Sequence, residues 1–218
     1  MSGWSIFDFD GVITSRDSMT VLCRKAIRRR PLAVVRVLAL LALRSMLRTP
    51  AGRQRVDATI VAVALLGVRA DDYSTLAADT VRQFAEFGWV RHSLVDALIE
   101  AREHGPVIVA TASERELVER FLAAIDVAGI EVLGSTLTSD SHGLRFSWHN
   151  VGEQKLHSLL ERGIPLQHAT FYTDSLNDLP VAEACLTTLY VGSDKRAADR
   201  LVHASFTVGP TRTLRAGE

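Results

Sequence analysis

The chain alternates between short apolar runs that end in acidic or hydroxyl residues and longer stretches of helical period. Trp4–Phe9 is apolar until Asp8, and Asp10-Gly11 marks a turn, which predicts a buried strand emptying into a polar loop. From His92 onward the two kinds of segment interleave. His92–His104, Glu114–Ile125, Lys155–Arg162 and Leu179–Ala184 carry helical patterns. Pro106–Ala110, Ile130–Leu133, Ala169–Thr173 and Leu186–Val191 read as strands, and Ser135–Trp148 alternates about Ser141-His142-Gly143 as a hairpin does. Strands separated by helices predict an α/β fold: a Rossmann-like three-layer core with a parallel sheet and right-handed crossovers. The tail from Thr211 reads as frayed.

The segment between the first strand and that core is different. Arg24–Arg48 reads as one or two helices, and Arg53–Leu66 and Asp71–Phe87 as two more, the last capped by Asp71 or Asp72. Residues 15–85 are therefore expected to form a helical unit inserted into a core made of residues 1–14 and 86–218. Composition supports the division. The 25 basic and 25 acidic residues of the whole chain cancel, yet from Ser15 to Ala70 twelve Arg and Lys face only Asp17 and Asp57, a net of +10. On a helical wheel Arg29, Arg36, Arg44 and Arg48 share a sector of about 120°, which leaves a wide apolar face of Val, Leu and Ala. That face is expected to pack inside the insertion or against a second copy; the alternative is rest on an anionic membrane surface. The arginines are expected to be a solvated face or, alternatively, a basic lid that attracts an anionic substrate.

Other classes are less well supported. Zero net charge gives no reason to expect a nucleic-acid partner. Arg36 and Arg44 interrupt the longest apolar stretch, so no stable membrane insertion is expected. Cys23 and Cys185 lack metal-ligand spacing and cannot build a disulfide framework, which fits a cytoplasmic protein. Oligomeric state is left open.

In open parallel sheets, ligands bind beyond the carboxyl ends of the strands. Asp8-Phe9-Asp10-Gly11-Val12 stands there after the first strand, Thr111-Ala112-Ser113 after the second, and Asp174-Ser175-Leu176-Asn177-Asp178 after the strand ending at Thr173. Lys155 opens the helix before that last strand. Four carboxylates, a hydroxyl and an ammonium thus converge on one edge. Crowded carboxylates repel unless a cation sits among them, and a hard, oxygen-preferring ion such as Mg²⁺ suits them. With charge so offset, one aspartate can attack phosphorus while a second moves the proton. The Thr111 hydroxyl and the Thr111-Ala112 backbone can hold phosphoryl oxygens. Only three residues are lysine against 22 arginines, so a lysine at this position is not a chance choice; a compact ammonium fits where a guanidinium does not.

These motifs, in this order, resemble those of the haloacid dehalogenase-like phosphatase superfamily, in the branch that contains the phosphoserine phosphatases. Asp8-Phe9-Asp10-Gly11, Val107-Ile108-Val109-Ala110-Thr111, Lys155 and Tyr172-Thr173-Asp174-Ser175-Leu176-Asn177-Asp178 cover nearly the whole chain. The resemblance implies a helical cap of the C1 type directly after the first motif, where residues 15–85 lie. It implies that Asp8 is the nucleophile forming an aspartyl-phosphate and also a metal ligand, and that Asp10 is the general acid/base with its backbone carbonyl on the metal. Thr111 would bind phosphate and Lys155 would neutralise the nucleophile and phosphate. Asp174 would be a further metal ligand, and Asn177 and Asp178 would orient the metal shell or contact phosphate.

Two motifs depart from the family pattern. Val12 replaces the usual Thr, and Thr111-Ala112-Ser113 replaces Ser-Gly-Gly. Asp17 stands nine residues after Asp8, where phosphoserine phosphatases place a glutamate for the substrate ammonium; it is either that group in a shorter form or a helix N-cap. Asp10 argues for phosphate esters over haloacids, because attack on carbon leaves no alkoxide needing a proton. The activity implied is Mg²⁺-dependent hydrolysis of a small phosphate monoester. A phosphotransferase using the same intermediate, or a phosphatase for a larger anionic or lipid phosphate, is the alternative.

Overall fold

The structure, a computed structural model, describes residues 3–192, 198–201 and 212–214. In chain order the elements are β1 (Ser5–Phe7), α1 (Ser18–Ile27), α2 (Pro31–Met46), α3 (Pro50–Ala64), α4 (Ala70–Glu86), α5 (His92–His104), β2 (Val107–Glu114), α6 (Arg115–Ala124), β3 (Glu131–Asp140), β4 (Gly143–Trp148), α7 (Glu153–Glu161), β5 (Thr170–Thr173), α8 (Leu179–Ala184), β6 (Thr187–Val191) and β7 (Arg212–Leu214). The seven strands form one sheet in the order β4-β3-β2-β1-β5-β6-β7. All pairs are parallel except β3 with β4.

β1 is central because its alternation serves two apolar faces. Ile6 lies level with Ile108 and Phe171, and these three pack into one buried cluster. Phe7 points the other way with Val109, and its ring stacks on Tyr172 with centroids 4.0 Å apart. A strand buried on both faces carries apolar residues in succession, as Ile6 and Phe7 do. The strand proper stops at Phe7, so Asp8 begins the loop.

Two sequence expectations change. The predicted strand Ile130–Leu133 and the following hairpin are one continuous β3 that runs out to Asp140 and turns back as β4. Gly134 permits this: a Cβ there would sit 2.9 Å from the Ser113 oxygen and the Arg115 Cα. α4 begins at Ala70 with Arg69 at its N-cap, so Asp71 and Asp72 occupy the first turn near the positive helix end and do not cap it. Of the tail expected to fray, Arg212–Leu214 pair in parallel with β6, while Thr211 and residues 215–218 lie outside the described residues.

Arg24–Arg48 resolves into two helices, because Pro31 cannot continue α1 but suits the first turn of α2. The two ends of the helical segment meet: Ser15 N–H donates to the Trp89 carbonyl at 2.8 Å and Arg91 N–H to the Ile13 carbonyl at 2.9 Å. α1, α3 and α4 pack on β2, β4 and α6 respectively. One apolar cluster runs through Phe7, Phe9, Leu22, Phe84 and Phe121, so the helices share a core with one sheet face. Within this chain the wide apolar face is mostly not packed: α2 buries only Ala33 and Val37. Cys23 and Cys185 are both buried and free.

Candidate active site

The site grows from three loops at the carboxyl edge of β1, β2 and β5. Asp8 N–H donates to the Tyr172 carbonyl at 2.9 Å, which extends the sheet bonding by one residue and aims the Asp8 side chain off its edge. The Phe9 N–H then donates to Asp8 Oδ1 at 2.7 Å. Gly11 carries a positive φ of 78°, and a Cβ there would fall 1.8 Å from Asp174 Oδ2. Only glycine can make this turn and let the two acidic loops approach so closely.

Lys155, 1% exposed at the start of α7, joins two of the loops. Its Nζ lies 2.7 Å from Asp178 Oδ1 and 3.3 Å from Asp8 Oδ1. The second Asp178 oxygen accepts the Thr173 hydroxyl at 2.8 Å, so Asp178 has both oxygens engaged in holding the lysine in place. Burial works against the ammonium, but Asp178 and Asp8 outweigh it and hold the Lys155 pKa above the ordinary value. Burial raises the Asp8 pKa well above the usual carboxylate range; Lys155 opposes this, while Asp178 and Asp174 add to it. Asp174 is pushed up to about 6 by burial and by the Asp178 charge, against Lys155.

Asp10 has separate surroundings. Its Oδ2 accepts the Ser113 hydroxyl at 2.5 Å and the Ser18 hydroxyl at 3.1 Å; its Oδ1 accepts the Ser18 N–H at 2.8 Å and the Thr14 hydroxyl at 3.2 Å. Burial raises its pKa to about 7, helped by the Asp17 charge and resisted by the bonds from Ser113 and Ser18. A carboxyl balanced near neutral pH can both give and take a proton. Thr111 is buried, and its hydroxyl oxygen accepts the Ser113 N–H at 3.0 Å, which leaves the hydroxyl hydrogen to donate. The loop is braced from below. Asn150 Nδ2 donates to the Thr111 and Leu133 carbonyls at 3.1 and 2.7 Å, and the Ser135 hydroxyl donates to the Ala112 carbonyl at 2.6 Å.

All the residues expected at the site line one cavity of about 710 Å³: Asp8, Asp10, Asp17, Thr111, Ala112, Lys155, Asp174, Asn177 and Asp178. Its outer wall comes from α1–α3, with Arg16, Arg24, Arg44 and Arg53 among apolar side chains such as Ile27, Val37 and Leu41. Asp17 is the N-cap of α1, accepting the Thr20 N–H at 2.5 Å. A smaller recess of about 390 Å³ beside Leu133, Trp148 and Glu161 holds none of the aspartates named above. Sequence reasoning missed Ser18 and Ser113 as partners of Asp10, Thr173 as partner of Asp178, and the Asn150 brace. Ser113 lies 103 residues from Asp10 and Asn150 lies 39 from Thr111, so no spacing signals those two, whereas Ser18 and Thr173 are within eight residues of their partners and were overlooked as common polar loop residues.

Asp8, Asp174 and Asp178 crowd around the Lys155 ammonium, with Arg91 a weaker positive influence on Asp174; burial raises the proton affinities of Asp8 and Asp174, and the neighbouring aspartate charges, which a dication would offset, raise them further. Among the described residues no three acidic, His or Cys side chains are grouped so as to hold a metal ion by themselves. Mg²⁺ needs only one or two carboxylates and keeps several waters. The residues fit the ion.

A family model described as haloacid dehalogenase-like hydrolase matches residues 6–183. No curated protein matches the sequence. A protein with unknown function from Bordetella pertussis Tohama I is similar in structure, with a TM-score of 0.75 at 16% identity over 97% of this chain and 98% of that one. A phosphoserine phosphohydrolase-like protein from Francisella tularensis gives 0.66 at 11% identity over 92% and 93%. A substrate-bound phosphoserine phosphatase gives 0.56 at 10% identity over 92% and 90%.

Proposed function

Since the chain belongs to the haloacid dehalogenase-like hydrolases, we propose that it is a Mg²⁺-dependent phosphatase that hydrolyses a phosphate monoester through an aspartyl-phosphate. The observation that carries this reading is the division of labour between two buried aspartates. Asp8 stands beside the Lys155 ammonium, and Asp10 sits apart with a pKa of about 7. Residues 15–85 act as the cap over them.

In the first half-reaction an Asp8 carboxylate oxygen attacks phosphorus and the ester P–O bond breaks. Asp10, protonated, gives its proton to the departing alkoxide. In the second half Asp10, now a carboxylate, takes a proton from water, whose oxygen attacks phosphorus and returns Asp8 as a free carboxylate. Lys155 offsets negative charge on Asp8 and the phosphoryl group throughout, with Asp178 and Thr173 fixing its position. The Thr111 hydroxyl donates to a phosphoryl oxygen where charge spreads in the transition state. Asp8, the Asp10 carbonyl and Asp174 would hold Mg²⁺, which supplies charge neutralisation to the phosphoryl group when bound. Val12 is fully buried among apolar groups, so the hydroxyl usual there would have no role in this core.

Release of phosphate from a panel of monoesters, with Mg²⁺ and then with chelator, tests the reading. Metal-dependent turnover is expected. Turnover that survives full chelation, or none on any ester while Mg²⁺ binds, would overturn it. Adding an alcohol to the assay separates hydrolysis from transfer, because a transferase would form a new ester at the expense of free phosphate.

A further inference from the structure

The outer face of α2 does not behave like the surface of a soluble helix. Leu32 is 76% exposed, Val35 64%, Leu38 60%, Leu43 47% and Met46 76%. Together with Ala39 and Ala42 they fill an uninterrupted arc of about 140° and run for about 21 Å along the axis, at 100° and 1.5 Å per residue. Soluble monomers rarely leave a contiguous apolar patch of this kind uncovered without a partner.

Charge surrounds the patch. Arg28 and Arg29 stand before the helix, Arg36 on the margin of the arc, and Arg48 just beyond the last turn; all four are exposed, and none makes an ion pair among the described residues. The two acids of this +10 segment are occupied, Asp57 by Arg44 at 2.5 Å and Asp17 by the start of α1. A second copy is a poor cover for such a face, because a twofold interface sets the patch against itself and would bring the arginines of the two copies together. No described helix is long and apolar enough to cross a membrane. An apolar stripe bordered by unpaired arginines is the make-up of a helix lying in the plane of an anionic lipid surface. The opposite face of α2 contributes Val37 and Leu41 to the cavity wall, so the helix separates the outside from the chamber that leads to Asp8.

We propose that α2 docks the protein on an anionic lipid bilayer, apolar face inward and arginines at the headgroups, so that the cavity behind it receives a phosphate monoester carried by a lipid. The substrate half rests on the phosphatase reading; the docking half stands without it. Apolar side chains lining the outer part of the chamber would then cover the first carbons of the lipid, while the phosphate reaches Asp8.

Co-sedimentation with vesicles tests the docking, using phosphatidylcholine alone and phosphatidylcholine mixed with phosphatidylglycerol. Wild type is expected to bind the mixed vesicles and to be released by salt. The Arg28→Glu/Arg29→Glu variant should bind at least about 25-fold more weakly, at about fivefold per arginine lost, and Leu38→Glu should bind less than wild type at any salt. All these positions lie outside the cavity, so turnover of a soluble monoester should be unchanged, which also shows that the variants fold. Phosphate release from phosphatidic acid in the mixed vesicles should exceed that from glycerol phosphate and fall with the same substitutions. Absence of binding at low salt, equal binding by both variants, or a dimer in sedimentation velocity that Leu38→Glu dissociates would each overturn the docking. Vesicle binding with no phosphate release from soluble or lipid esters would defeat the phosphatase reading and leave the docking standing.

Discussion

The two ends of the cavity are built from opposite materials. At the sheet edge, the charges are buried and mutually engaged: Asp8 and Asp178 both lie within 3.3 Å of the Lys155 ammonium. At the α1–α3 wall most charges are exposed arginines, and Arg44 with Asp57 is an exception. Buried charges interact strongly at short range and are barely screened, whereas exposed ones act weakly, over distance, and fade with salt. The inner end is thus suited to chemistry and the outer wall to attraction. Substitutions at the two ends should differ in size and in salt dependence.

Loss of the proposed nucleophile should be the largest effect. Asp8→Asn should lower turnover by about a thousandfold or more while the far-ultraviolet circular dichroism stays native; wild-type-like turnover would remove Asp8 from the mechanism. Lys155→Met comes next, and it should damage stability as well as rate. It strands the buried Asp8 and Asp178 carboxylates, a change that costs about 3–5 kcal/mol in comparable buried pairs. Acid should recover part of this loss by neutralising the stranded carboxylates, and denaturant melts at pH 5 and pH 8 would show it.

Asp10 separates function from stability. Its pKa in the fold is about 7 against an ordinary 3.8, so the native state holds a proton that the unfolded chain has already lost between those values. The stabilising contribution is complete below about 4 and disappears as pH rises through 7. With metal chelated, Asp10→Asn should therefore melt above wild type at pH 8, with the gap closing toward pH 4, although its turnover is lost. A constant gap across that range would mean that Asp10 titrates normally. The smallest effect belongs to the outer wall. Arg53→Ala, in an exposed cavity-lining arginine, should raise KM for anionic substrates a few-fold at low salt and leave it unchanged at high salt; a shift that ignores salt would contradict the contrast drawn above.

Much of the site was legible because each piece is local. An apolar strand followed at once by Asp8-Phe9-Asp10-Gly11, or by Tyr172-Thr173-Asp174, announces both its structure and its chemistry within a few residues. Lys155 was legible for a different reason, the scarcity of lysine in an arginine-rich chain. What could not be read was any partnership across long separations. The Ser113 hydroxyl on Asp10 and the Asn150 brace under Thr111 depend on β2, β3 and the loops lying side by side, and neither leaves a pattern in the chain. Asp17 shows the limit from the other side: its spacing allowed a substrate contact or a cap, and the structure shows the cap while leaving the residue on the cavity wall.

The helices from Ser15 to Ala85 divide in the same way. Their existence, the break at Pro31 and the excess of arginine follow from residue order alone, since proline geometry, helical period and charge act within a turn or two of the chain. Which side of α2 meets a neighbour does not. The apolar face is wide enough to satisfy either a core or an outside partner, and only packing α1, α3 and the sheet together settled that Ala33 and Val37 go inward while Leu32, Val35 and Leu38 stay out. Short-range backbone and side-chain preferences wrote the elements and the loops of the candidate site into the sequence; burial, the pKa values it sets and the exposed face of α2 are properties of surfaces that come into being only when distant segments meet.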